Sequence, residues 1–255
     1  MRILLDVHPL VRCGPEPVVG EHLLRFRRRM DDLNNQRNDH VARVLDDATA
    51  HFLAEVIERM GEPAAILCHK DPRTFVYLAM LGRLFPRAKF IHMLRDGRAA
   101  IFSSKRRRLS VGPEFALMRI WNGMVRRILL ACQQIGPARC MTVRYELLVL
   151  DPERMMRHVF DFLGLPWNPR VLEHEKWIWK TSNLTRFDKS TDQVLQKIHT
   201  KSLFTWLRES SHPHSDYIYL KDQIRNPILY SLGYADLGLP PDYGNLSWEQ
   251  PQIEQ

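Results

Sequence analysis

Three residues have types and spacing that suggest a binding chemistry: Arg95, Ser103 and Arg107. Ser103 and Arg107 are four apart, on one face of any helix that carries them. Arg95 closes an apolar run, Phe90 to Leu94, and leads into the turn Arg95-Asp96-Gly97-Arg98. A guanidinium at a strand end, with a hydroxyl and a second guanidinium on the next helix, can grip one phosphate group from two sides. The competing reading of this stretch is a solvated basic helix face. Glu16 stands between Pro15 and Pro17, whose rings restrict its backbone. That suits a carboxylate with a fixed direction, against the plainer reading of a surface glutamate in a proline-rich turn. Lys70 follows a short apolar run in the block CHKDP.

The elements that must position these residues read as an α/β alternation. Phe90–Leu94 is short and apolar enough for a buried strand, and Asp96 is placed to cap the helix after it. Ala64–Cys68 is a second strand candidate, after which Asp71 caps a helix that Pro72 opens and that runs to Phe85. Val41–Met60 is helical by its apolar spacing and is closed by Gly61. Glu114–Ile135 reads as a long amphipathic helix, Met141–Tyr145 as a strand, and Pro152–Leu163 as a helix stopped at Gly164. Met1–Asp6 reads as an uncapped helix, Val11–Pro17 as a stiff loop and Arg25–Met30 as a solvated basic helix face. Ser202–Ser210 is a weak helix. The expectation is one α/β domain over residues 1–255 with a predominantly parallel sheet.

The formal net charge of +8 points to an anionic partner: nucleic acid, an acidic peptide or a phosphorylated nucleotide. Aromatic residues are not interleaved with the basic clusters, which disfavours nucleic acid. No apolar window is long enough to span a bilayer, and the N-terminus is too quickly polar for a signal peptide. Four cysteines allow three pairings. A Cys13–Cys68 bridge would pin the glutamate loop beside the strand end bearing Lys70. Cys132 and Cys140, eight apart, would close an easy loop. Sequons at Asn183 and Asn245 fit glycosylation in a secretory lumen.

Long ordered blocks then make the chain resemble the protein-tyrosine sulfotransferase family. They are HPLVRCGPEP, CHKDP, RLFPRAKFIHMLRDGRAAIFSS, CMTVRYELLVLDPERMMRHVFDFLGLPWN, KSTDQV and LGYADLGLPPDYGN. The resemblance implies a P-loop-type sulfotransferase fold, a parallel sheet flanked by helices. It implies transfer of a sulfonate from 3′-phosphoadenosine 5′-phosphosulfate (PAPS) to tyrosine hydroxyls of acidic peptides, with no metal. Glu16 would be the base, and Lys70 and Ser190 would stabilise charge on the leaving phosphate. Arg95, Ser103 and Arg107 would hold the 3′-phosphate. Tyr145, Ser190, Thr191, Asp192, Gln193, Val194 and His199 would complete the nucleotide site. A Golgi-lumen location and a homodimer come with the resemblance.

The chain also departs from the family pattern. The family's Arg-Ser-Gly-Thr-Thr phosphosulfate turn, with its strand and membrane anchor, would belong immediately before Met1. The expectation is therefore a longer gene product, with the 255 residues as written binding adenosine 3′,5′-bisphosphate without sulfating tyrosine. The family's peptide-contacting arginines fall on Val18 and His22, and a nucleotide-contacting lysine falls on Thr205, with Lys201 close by. His69 replaces an asparagine. The altered Val18, His22 and Thr205 favour a second expectation, an inactive relative that binds nucleotide or a partner.

Overall fold

A computed structural model describes residues 1–34, 39–181, 195–208 and 226–253. The chain groups into two compact units, one of Met1–Ala88 with Asn168–Lys197 and the other of Lys89–Trp167 with Ile198–Gln255. Every strand pair among the described residues is parallel and flanked by helices, as the alternation predicts. No helix of the described residues is long and apolar enough to cross a membrane.

In the first unit, helix α1 (Arg2–Asp6) leads to strand β1 (Val11–Cys13), which pairs with β2 (Ile66–Cys68) in the register Val11↔Ile66 to Cys13↔Cys68. Val11–Cys13 is thus a strand and not the start of a loop. Ile66 N–H donates to the Leu10 carbonyl at 2.9 Å, and Cys13 N–H donates to the buried Asp6 carboxylate at 2.7 Å. Arg12 then ties β1 to the end of α3 (Asp39–Arg59). Its guanidinium donates to the carbonyls of Ile57 and Glu58, acceptors that a helix end leaves open, and to that of Glu62 just beyond the helix, each at 2.8 Å. Gly61 leaves room for this, because a Cβ there would lie 3.1 Å from Arg12 Cδ.

Helix α2 (Val19–Asn34) is not solvated throughout its basic segment. Arg27 is only 2% exposed, donating to Asp46 at 2.8 Å and to the Ala42 carbonyl at 3.1 Å and pairing with Asp31. Arg83 reaches the same Asp46 from α4 (Leu78–Leu84) at 2.8 Å. The helix expected from Pro72 begins instead with a 3-10 turn, Thr74–Tyr77. Asp71 does serve its entry, accepting from Arg73 N–H at 2.9 Å. Leu24, Leu53 and Val7 are among the apolar residues buried in this unit, which also contains α9 (His174–Thr181).

In the second unit, β3 (Phe90–Leu94) pairs with β4 (Cys140–Arg144) in the register Phe90↔Cys140 to Leu94↔Arg144. Asp96 caps α5 (Gly97–Arg106), accepting from Arg98 N–H. Helix α6 (Glu114–Ile135) packs so closely on α5 that a Cβ at Gly97 would lie 2.8 Å from the Trp121 ring. Tyr145, expected to end a strand, opens helix α7 (Tyr145–Leu150). Helix α8 (Pro152–Leu163) is capped by Asp151 and ends at Gly164 with φ of 74°. In place of one weak helix over Ser202–Ser210 there is a 3-10 turn, Lys201–Leu203, and a short helix, Thr205–Arg208. The tail covers the sheet edge: the Gln250 carboxamide accepts from Thr142 N–H at 2.7 Å and donates to the Thr142 carbonyl at 3.2 Å. Leu94, Val143, Leu129, Met156 and Phe160 are among the residues buried here.

Candidate active site

Glu16 and Lys70 leave the carboxyl ends of two adjacent parallel strands, where α/β sheets characteristically bind ligands. Cys13 and Cys68 face each other in the last register pair, and their sulfurs are bonded. From that bridge the chain runs three residues to Glu16 and two to Lys70. The Lys70 ammonium donates to Glu16 Oε1, with the two side chains 45% and 30% exposed. A carboxylate able to take a proton and an ammonium able to meet developing anionic charge therefore touch in a wet, accessible place. His69, beside them, has its pKa pulled down by burial, against the opposing pull of Asp71. Val18 is 48% exposed and His22 is also exposed.

The second unit assembles Arg95, Arg107 and Tyr145. The Arg95 guanidinium lies 4.6 Å from the centre of the Tyr145 ring and donates to the Ser202 carbonyl at 2.7 Å. Its Nε is buried without a hydrogen-bond partner among the described residues. Arg107, at the end of α5, has its pKa lowered, chiefly by partial burial and then by the neighbouring charge of Arg95. Two guanidiniums held near enough to repel, one with an idle buried donor, make a receptive place for an anion. Ser103 is half-buried one helical turn before Arg107, whose N–H donates to the Ser103 carbonyl at 3.2 Å.

Of the remaining nucleotide-site candidates, His199 is described, with its Nδ1 buried and lacking a hydrogen-bond partner among the described residues. Ser190, Thr191, Asp192, Gln193, Val194 and the sequon residue Asn183 lie outside the described residues. Thr205 turns its hydroxyl back to the Lys201 carbonyl at 2.9 Å, and Lys201 is exposed. Cys132 and Cys140 form the second disulfide, and no free cysteine occurs among the described residues. No group of His, Cys, Asp and Glu among the described residues is arranged to hold a metal.

What sequence reasoning passed over is a buried polar cluster behind the Arg95 turn. It comprises Asp96 and Glu146, both fully buried, with Arg98, Tyr234 and Tyr243. The only signal in the sequence was the tail block LGYADLGLPPDYGN, which carries both tyrosines.

Residues 1–169 match the model of the sulfotransferase family. The fold resembles the sulfotransferase domain of the Synechococcus PCC 7002 olefin synthase. Identity is 25% and the TM-score 0.59, over 87% of this chain and 88% of that one. These matches define the class as sulfotransferase. Within it, the chain is 37% identical to chicken protein-tyrosine sulfotransferase 2, over 96% of its own length and 68% of the relative's. It is 38% identical to human protein-tyrosine sulfotransferase 1 over the same shares. With the Drosophila melanogaster protein-tyrosine sulfotransferase it shares 37% identity, spanning half of that protein's length. The chain belongs to the protein-tyrosine sulfotransferase family.

Proposed function

We propose that the protein sulfates tyrosine hydroxyls of acidic peptides, with PAPS as the sulfonate donor. The observation that carries this reading is the contact between Glu16 and Lys70 at the ends of β1 and β2. A phenol has an ordinary pKa near 10 and attacks poorly until a carboxylate takes its proton. Glu16 is that acceptor, and its flanking prolines hold the loop that presents it. Lys70 stabilises negative charge as it grows on the departing phosphate. The donor supplies a sulfonate on a phosphate leaving group. Arg95, Ser103 and Arg107 bind its 3′-phosphate; the Arg95 Nε, without a partner among the described residues, and the mutual repulsion of the guanidiniums are what an anion would relieve. Tyr145, Ser190 to Val194 and His199 complete the nucleotide site in this proposal, and Val18 and His22 face the peptide.

The net charge of +8 suits acidic peptides, and two disulfides suit an oxidising secretory lumen such as the Golgi. Asn245 is exposed, as a glycan acceptor must be, and the family likeness extends the proposal to a homodimer.

The experiment is paired. Calorimetric titration with adenosine 3′,5′-bisphosphate should show Arg107→Ala binding weakened by about 1.5–3 kcal/mol, the size of a hydrogen bond to a charged group. Transfer of labelled sulfate from PAPS to an acidic tyrosine peptide, assayed with the family's strand and Arg-Ser-Gly-Thr-Thr turn fused ahead of Met1, should be lost in Glu16→Ala while nucleotide affinity stays. Transfer undiminished in Glu16→Ala would refute the assignment of the base.

A further inference from the structure

The register of β3 and β4 brings two matched dipeptides together. Leu94 pairs with Arg144, so the strands exit as Arg95-Asp96 and Tyr145-Glu146. The first member of each belongs to the proposed phosphate site, since the Arg95 guanidinium lies over the Tyr145 ring. The second member of each is a fully buried carboxylate. Glu146 Oε1 accepts from Asp96 N–H at 2.9 Å, so the two exits are bonded to each other one residue beyond the anion-binding pair.

Two carboxylates at this position would repel a bound phosphate unless their charge is met and their oxygens held. Arg98 of α5 meets charge, and the C-terminal segment holds oxygens. Tyr243 Oη donates to Asp96 Oδ2 at 3.0 Å, and Tyr234 Oη donates to Glu146 Oε2 at 2.9 Å. Arg98 donates to Asp96 Oδ1 and Oδ2 at 3.0 and 2.7 Å, and its Nη2 also reaches the Tyr234 carbonyl at 2.9 Å. Ser202, whose carbonyl takes the Arg95 guanidinium, adds a third tail contact.

We infer that Tyr243 and Tyr234 are positioning residues for the 3′-phosphate site. They clamp Asp96 and Glu146 so that Arg95 and Tyr145 are set for the phosphate before it arrives. This rests on the reading of Arg95 as a phosphate ligand. The variant Tyr243→Phe keeps the ring beside Phe204, 5.8 Å away, and deletes only the hydroxyl.

The test is calorimetry on the full chain with two probes, adenosine 3′,5′-bisphosphate and adenosine 5′-phosphate. Tyr243→Phe should weaken the bisphosphate about tenfold, the scale of one lost hydrogen bond to a charged group. It should leave adenosine 5′-phosphate unchanged, and it should cost nothing further in an Arg95→Ala background, because both changes act through one residue. A purely architectural tyrosine would weaken both probes, and would do so with or without Arg95. That result, or undiminished bisphosphate binding in Tyr243→Phe, overturns the inference. Arg98→Lys, which keeps the charge and loses the two-pronged grip on Asp96, should shift the bisphosphate in the same direction and serves if Tyr243→Phe does not fold. Unchanged bisphosphate binding in Arg95→Ala would overturn the phosphate reading itself, whereas a loss there with none in Tyr243→Phe or Arg98→Lys would overturn only the clamp.

Discussion

The Glu16–Lys70 pair is half in water, so the ion pair itself contributes little to stability and is easily parted by an incoming phenol. His92 stands at the opposite extreme. It lies in β3, buried, with Nδ1 3.3 Å from the Thr142 hydroxyl, and burial drives its pKa from 6.5 to about 4. The folded state thus holds His92 neutral while the unfolded chain takes up a proton below 6.5. The stability tied to this neutrality is fully present above 6.5 and is lost as pH falls towards 4. Its size is on the order of 3 kcal/mol. Urea unfolding of the parent and of His92→Gln at stepped pH should therefore show the difference between them moving in the variant's favour as pH drops from 6.5 to 4. Parallel curves would mean that His92 does not titrate on unfolding in this range.

Among the elements, what the sequence made legible was whatever local chemistry decides. Asp96 caps because a short carboxylate precedes a helical pattern, and Gly164 stops α8 because the chain there turns left-handed. What stayed hidden depends on distant partners. Arg27 reads as solvated until Asp46, nineteen residues on, is placed beside it. Tyr243 is paired with Asp96 across 147 residues, and Tyr234 with Glu146 across 88, separations at which no spacing rule speaks. Val11–Cys13 was masked by the prolines just after it, and Tyr145 by the direct passage from strand to helix. Gly97 looked like a turn glycine, yet its first duty is contact between α5 and α6. Adding a methyl group at 2.8 Å from the Trp121 ring should overpack the contact and destabilise the fold by about 1–3 kcal/mol. Thermal unfolding of Gly97→Ala should show this, with part of the loss recovered on pairing it with Trp121→Leu. Full stability in Gly97→Ala would mean that α6 moves aside freely.

At the scale of the whole molecule, each unit carries, among the described residues, one parallel strand pair and one disulfide, with Glu16 and Lys70 in the first unit and Arg95, Ser103, Arg107 and Tyr145 in the second. The bridges differ in reach, Cys13–Cys68 closing a separation of 55 residues and Cys132–Cys140 one of 8. Chain entropy makes the longer loop the more stabilising, at about 4 kcal/mol against about 2.5 kcal/mol. Removing the first bridge by Cys13→Ser with Cys68→Ser should lower the urea midpoint more than removing the second. The functional consequences should divide as well. Cys13 and Cys68 end the strands from which Glu16 and Lys70 emerge, whereas Cys140 opens the strand that ends beside Tyr145. Loss of the first bridge should therefore depress sulfate transfer under conditions where the protein remains folded, while affinity for adenosine 3′,5′-bisphosphate stays near the parent value. Loss of the second should act chiefly on that affinity. If both pairs of variants lowered transfer and affinity in the same proportion, the disulfides would act on global stability alone.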